Sequence, residues 1–292
     1  MYIILGGTGH VGSAVAKELL ANNKEVIIIT HDENKVNDIE AMGAKAEVAD
    51  ITDSNRLNEI FKMGERLFLL NPPAPPSTNT PNVERDSMQS IIAALEDSGL
   101  EKIVAESTYG AQPGKDMGDL GVLYEMEEVL KDIHIPTSIQ RAAYYYSNWD
   151  SSLETAQKEG KLYSMYPPHF KLPMVAPEDL GKFAAKLLME PVEETGLYYR
   201  TGPKDYSPKD VAAAFSEALG KPVEAVQIPE DKWESTLEEQ GFSAKAARSM
   251  INMTKATLEQ VQESAPENPE RGSFTLERYI DELVQKSSMK KS

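Results

Sequence analysis

There is no cysteine among the 292 residues. That excludes disulfides, thiolate metal sites and cysteine nucleophiles. The four histidines, at 10, 31, 134 and 169, are scattered without metal-ligand spacing, so no metal site is expected. Long apolar runs are missing too: no stretch approaches the roughly 20 residues that span a bilayer. The N-terminus has no basic segment ahead of an apolar one, so no signal peptide is expected. A surplus of positive charge is also lacking. The formal net charge of −17 argues against direct contact with a nucleic-acid backbone. A soluble cytoplasmic protein is the expectation, with no membrane partner.

The feature that organises the chain is its first twenty residues. Tyr2 to Leu5 form a short apolar run, followed by Gly6-Gly7-Thr8-Gly9-His10-Val11-Gly12 and a helical pattern through Val15 and Leu19. Strand, glycine turn and helix follow without spare residues, the context that turns a glycine pattern into a dinucleotide site. Gly6 allows the tight turn, Gly9 lets backbone approach a pyrophosphate, and Gly12 lets the helix lie close on the strand. The helix N-terminus then offers free N–H groups and partial positive charge to phosphate.

The alternation continues. Glu25–Thr30 is β-branched and apolar, as a strand buried on both faces must be. Further strands are read at Ala44–Val48, Arg66–Leu70, Lys102–Ala105 and Thr137–Gln140, with helices between them. One of these helices is expected over Val83–Asp97 and another over Val122–Asp132, the latter after a glycine-rich, mobile-looking stretch from Gln112 to Gly121. Asn71-Pro72-Pro73-Ala74-Pro75-Pro76 continues neither helix nor strand. Six strands with short crossovers predict a doubly wound parallel α/β sheet of Rossmann type, order 3-2-1-4-5-6, with Leu197–Tyr199 as a seventh strand. Ligand belongs over the strand C-termini, near strands 1 and 4. Beyond Asn148 the rhythm changes. Residues 1–150, joined by late elements from 175–202, are read as the dinucleotide-binding domain. Residues 151–174 and 203–292 are read as a smaller, mostly helical substrate or lid lobe with a polar tail from Lys286.

Several of these stretches resemble the NmrA-like group of atypical short-chain dehydrogenases/reductases, which includes NAD(P)H:quinone reductases, isoflavone-reductase-like enzymes and NADP-sensing regulators. Gly6–Gly12 resembles the family's G-x-T-G-x-x-G loop, and Ala49–Asp53 its third-strand motif. Ile135–Asn148 resembles I-P-x-T-x-x-R-P-x-x-F-x-x-N, Val175–Gly181 the opening of a late helix, and Leu197–Pro203 the last core strand. The resemblance covers nearly the whole chain and is more specific for fold than for reaction. It implies that Gly6, Thr8, Gly9, His10, Val11 and Gly12 contact the pyrophosphate. It places Asp50 and Ile51 beside the adenine, and Asn71 and Pro72 on the nicotinamide side. His31 stands where NADP-binding members tend to carry arginine, with Lys35 one turn on. NADP is therefore the expected cofactor, with NAD as the alternative.

The chemistry departs from the wider dehydrogenase pattern. A Tyr-x-x-x-Lys pair normally supplies the proton. Here Tyr124 is followed at i+4 by Glu128, and a carboxylate works against ionising a tyrosine. Tyr109 and Ser107, just after the fifth strand, are the remaining donors, with Tyr124, among the candidate catalytic residues. Tyr144, Tyr145 and Trp149 form an aromatic cluster after strand six, and Phe170 sits in a proline-flanked loop. These four are read as walls for a planar substrate, although a packing role for each is open at this stage. Two functions follow. One is an NAD(P)H-dependent oxidoreductase acting on a small, flat, apolar acceptor such as a quinone. The other is a non-catalytic NAD(P)-sensing regulator acting through a protein partner. A homodimer is compatible with either.

Overall fold

The computed structural model describes residues 1–114, 116–260 and 268–289. Residues 261–267 of the expected helical C-terminal stretch, residue 115 of the expected mobile stretch and the last three residues of the polar tail lie outside the described residues. The first half runs β1 (Tyr2–Ile4), α1 (His10–Ala21), β2 (Val26–Thr30), α2 (Val36–Ala41), β3 (Lys45–Val48), α3 (Ser54–Phe61), β4 (Arg66–Leu69), α4 (Thr80–Ala94), β5 (Lys102–Thr108), α5 (Asp119–Asp132) and β6 (Thr137–Ala142). The second half adds β7 (Tyr144–Tyr145), α6 (Ser152–Glu159), β8 (Lys161–Ser164), β9 (Leu172–Val175), α7 (Pro177–Met189), β10 (Gly196–Thr201) and β11 (Asp205–Tyr206). It closes with α8 (Pro208–Leu219), β12 (Glu224–Gln227), α9 (Trp233–Glu239), α10 (Ala244–Gln260), β13 (Glu270–Arg271) and α11 (Leu276–Met289).

The main sheet has the order β13-β10-β6-β5-β4-β1-β2-β3, parallel throughout. The expected 3-2-1-4-5-6 order is present, and β10 is the expected seventh strand. The period of two along each strand divides the core. Ile3, Ile27, Ile29, Leu67 and Leu69 face α3, α4 and α5. Ile4, Val26, Ile28 and Phe68 face the opposite side, where α1 lies along α7. All five residues of β2 are buried, as its β-branched run demands.

Four local details differ from the sequence expectation, and two of them shape the site. β5 and β6 run on past Ala105 and Gln140, which pairs Glu106 with Gln140 and Ser107 with Arg141 inside the sheet. Polar residues at a strand's end mask its true length. α5 starts at Asp119, within the stretch expected to be irregular, with that acid in its first turn. α4 starts at Thr80 rather than Val83, because Pro81 is tolerated in a first turn. β13 is an eighth strand, too short to carry any periodicity, pinned where Arg200 pairs with Glu270.

The smaller lobe joins its helices to two small sheets, β11-β9-β7 and β12-β8. Its core gathers Tyr146, Trp149, Leu172, Met174, Tyr206, Phe215 and Ile280. α8 shows its sequence signals plainly: Ser207 and Asp210 form a capping box, and Gly220 ends the helix at φ +63°. No helix of the described residues is long and apolar enough to cross a membrane.

Candidate functional site

The turn after β1 is built by backbone. Gly6 adopts φ +67°, and Gly9 N–H donates to the Gly6 carbonyl at 2.9 Å. A Cβ on Gly12 would stand 2.2 Å from the Gly6 oxygen, so only glycine lets α1 start this close to the strand. A Cβ on Gly9 would meet nothing nearer than that same oxygen, at 3.3 Å; the space beyond it is open. α1 has no side-chain cap and no acid in its first turn. Its N–H groups and the positive end of its dipole are thus left for an external anion.

This turn floors a cleft of about 720 Å³ over the C-terminal ends of β1, β2 and β4. Gly6, Thr8, Gly9, His10, Val11 and Gly12 line it, and so do His31, Asp50 and Ile51 at one end and Asn71 and Pro72 at the other. The structure therefore brings together all eleven residues assigned to the nucleotide. His10 also lies 3.6 Å from the Asp150 carboxylate, which accepts from the Tyr279 hydroxyl of α11 at 2.9 Å and so links the start of α1 to the smaller lobe. Asp32 is absent from the lining: its carboxylate accepts from Asn34 N–H and side chain at 3.0 and 2.8 Å, bonds that hold it below the usual carboxylate range. Asp50 is held low likewise, by Thr52 N–H and hydroxyl. Asn71 donates to the Glu84 carbonyl at 3.0 Å, while its Oδ1 is buried with no partner. That leaves an acceptor in the cleft wall for an N–H or O–H donor of a ligand.

A second cavity of about 420 Å³ adjoins the first. Its walls include Tyr109, Leu120, Tyr144, Tyr166, Met250 and Met253, so α10 forms one side. Asp119 and Asn148 line both spaces and mark their junction. Alternation along β7 divides the two tyrosines: Tyr144 faces this chamber and Tyr145 faces the cleft. Trp149 and Phe170 line neither space. Trp149 packs behind Tyr144, with ring centroids 5.9 Å apart, and Phe170 stacks on Tyr166 at 5.8 Å. Both are wall supports, drawn into the small-lobe core by their neighbours.

The three candidate donors have distinct surroundings. Tyr109 presents its ring to the chamber, but its hydroxyl is buried without a hydrogen-bond partner, and burial pushes its pKa up. Ser107 lines the cleft and donates to the buried Glu127 carboxylate. Arg141 grips that carboxylate from the other side at 2.8 and 2.6 Å and donates to Tyr199 at 2.9 Å. Ser107 is thereby part of a buried structural network. Tyr124 lines neither space, and Glu128 turns away to pair with exposed Lys131.

Sequence reasoning passed over three carboxyl groups. Glu106, fully enclosed at the cleft floor, is pushed up to about 8 by burial, against the opposing hydrogen bonds from Gln140 (2.8 Å) and Tyr145 (3.1 Å). Glu84 on α4 lines the cleft and is also raised to about 8, by burial first and then by the neighbouring Asp119 carboxyl. The signal was available for Glu106 alone: an acid inside the strand sequence Val104-Ala-Glu-Ser107 must be paired or protonated.

Comparison with known proteins agrees with this geometry. The family model described as the NmrA-like family matches residues 2–288. The NAD(P)H azoreductase of Xenophilus azovorans is 23% identical over 253 residues, covering 86% of this chain and 85% of that protein. Quinone oxidoreductase 2 of Escherichia coli is 23% identical over 247 residues, covering 83% and 82%. The triphenylmethane reductase of Citrobacter sp., solved in complex with NADP(H), superposes with a TM-score of 0.80 at 17% identity, covering 97% of this chain and 99% of that one.

Proposed function

The chain belongs to the NmrA-like family, and we propose that it is an NAD(P)H-dependent oxidoreductase that delivers hydride to a small, flat, apolar acceptor such as a quinone. The observation that carries this reading is the junction: a glycine-floored cleft and an aromatic-walled chamber lie side by side and share Asp119 and Asn148 in their walls. The cleft is dimensioned and polarised for a dinucleotide, and the chamber for a ring system.

The chain's own residues bind, orient and exclude water. The α1 N-terminus and the Gly6–Gly12 backbone hold the pyrophosphate. His31, Asp50 and Ile51 flank the adenosine, and Asn71 and Pro72 the nicotinamide. The reading favours NADP, with NAD as the alternative, because no carboxylate at the end of β2 faces the cleft: Asp32 is committed to its turn. When bound, the dinucleotide supplies the hydride. Tyr144, Leu120, Met250 and Met253 hold the acceptor against it. On this reading residues 1–150 with 175–202 make the nucleotide half, and 151–174 with 203–292 supply most of the chamber's far side, including both methionines.

The test is oxidation of NADPH and NADH, followed at 340 nm, against a panel of quinones and azo dyes. Acceptor-dependent oxidation, faster with NADPH, is expected. NADPH binding with no turnover across the panel would replace this reading with that of a nucleotide-sensing regulator.

A further inference from the structure

Asp119 is the ionisable residue that lines both the cleft and the chamber; Asn148, the other shared residue, cannot titrate. Asp119 opens α5, where the helix dipole favours a negative charge. Its carboxyl meets that of Glu84, which is 5% exposed, within hydrogen-bonding range. Glu84 Oε1 also accepts from Ala74 N–H at 2.9 Å. Burial and the facing carboxyl together push Glu84 up to about 8, so it keeps its proton at neutral pH. The charge of Arg85 opposes the rise at Glu84, but less than burial and Asp119 promote it. Arg85, next to Glu84 on α4, makes a bidentate pair with Glu125 at 2.6 and 2.9 Å. Across the cleft the facing titratable groups are Tyr145 and Glu106, themselves joined by a hydrogen bond.

We propose that Glu84 and Asp119 share one proton and that Asp119 delivers it to the acceptor as the hydride arrives. The proposal rests on the oxidoreductase reading above. A dinucleotide held in the cleft would supply the hydride, the electron pair of its C–H bond going to the acceptor. The dinucleotide is oxidised and the quinone reduced. The oxyanion so formed takes the shared proton, giving the hydroquinone. The pair is left with two negative charges, and their repulsion draws a proton back from water through the exposed Asp119 side. One hydride and one proton thus account for the whole reduction. Asp119 is the catalytic residue, and Glu84 positions and stores its proton. The assignment fills the role that Tyr124 and the missing lysine leave empty.

The experiment joins infrared titration of the nucleotide-free protein to kinetics. Two protonated-carboxyl bands, from Glu84 and Glu106, should vanish with midpoints near pH 8. Glu84→Gln should remove one of them, and Asp119→Asn should move that same band's midpoint down. In quinone reduction Asp119→Asn should lower kcat by about 10²-fold with the NADPH Kd unchanged. Wild-type kcat should fall above about pH 8, and Glu84→Gln should abolish that fall. A spectrum that Glu84→Gln leaves intact overturns the shared proton. Wild-type turnover together with an unaltered kcat in Asp119→Asn overturns the delivery role alone. A wild-type protein that reduces no acceptor overturns the oxidoreductase reading, and the delivery role falls with it.

Discussion

The floor of the nucleotide cleft is backbone from one continuous stretch, Leu5–Gly12, whereas the chamber beside it is walled by side chains gathered from Tyr109, Leu120, Tyr144, Tyr166, Met250 and Met253. In the cleft, chemistry follows from a turn and a helix end, so few side chains need a fixed identity. In the chamber, shape follows from packing, and any apolar residue of suitable volume serves. On the proposed reading the first kind of construction would hold the cofactor and the second the acceptor. A fold of this type therefore keeps its nucleotide while changing its substrate.

Gly12→Val attacks the backbone side of the comparison hardest. The new Cβ would lie 2.2 Å from the Gly6 oxygen and 2.9 Å from Gly7 Cα. Neither neighbour has a rotamer to change, so the fold should be lost, at a cost above about 4 kcal/mol, seen as an absent thermal transition. Glu106→Gln comes next and acts in the opposite direction. The folded chain holds the Glu106 proton more tightly than the unfolded chain does. Wild-type stability therefore falls as pH rises from the usual carboxylate range to about 8, and the loss is complete above that. Glutamine has no proton to lose and keeps an acceptor for Tyr145. The variant should match wild type near pH 4 and exceed it by about 5 kcal/mol at pH 9, measured by denaturant unfolding at both pH values. Equal stabilities at pH 9 would mean that Glu106 ionises without cost. Met253→Ala tests the chamber with the smallest effect. It removes apolar surface from one wall only, so quinone KM should rise about tenfold while the NADPH Kd stays put. A parallel loss of NADPH affinity would show the two spaces to be one site.

The same contrast explains what was legible in the sequence. Every strand of the 3-2-1-4-5-6 order was legible, because short apolar runs alternate with helical patterns and the glycine turn is contiguous; β2 is the clearest β-branched case. The eleven residues expected at the nucleotide, implied by the family resemblance, line one cleft because the turn and the strand ends lie on one edge of the sheet. The chamber was half visible. Tyr144 and Tyr145 stood out as aromatics, but their opposite faces depend on β7, a two-residue strand without a readable period. Trp149 and Phe170 read as walls from their aromatic character alone; packing shows that they stand behind one. Met250 and Met253 carried no signal, because a methionine on an amphipathic helix looks the same whether it meets a core or a ligand. The Glu84–Asp119 contact joins α4 to α5 through space, and no local pattern in either helix records it.

The central claim is that the N-terminus of α1 holds the dinucleotide through backbone. Gly9→Val addresses it most directly, because its Cβ meets one atom, the Gly6 oxygen at 3.3 Å, which must give by a few tenths of an ångström, and otherwise projects into the space beyond the turn. Titration of NADPH into this variant, beside its thermal melt, should show a wild-type transition within about 5 °C and no measurable binding. Wild-type affinity in a folded Gly9→Val protein would contradict the account.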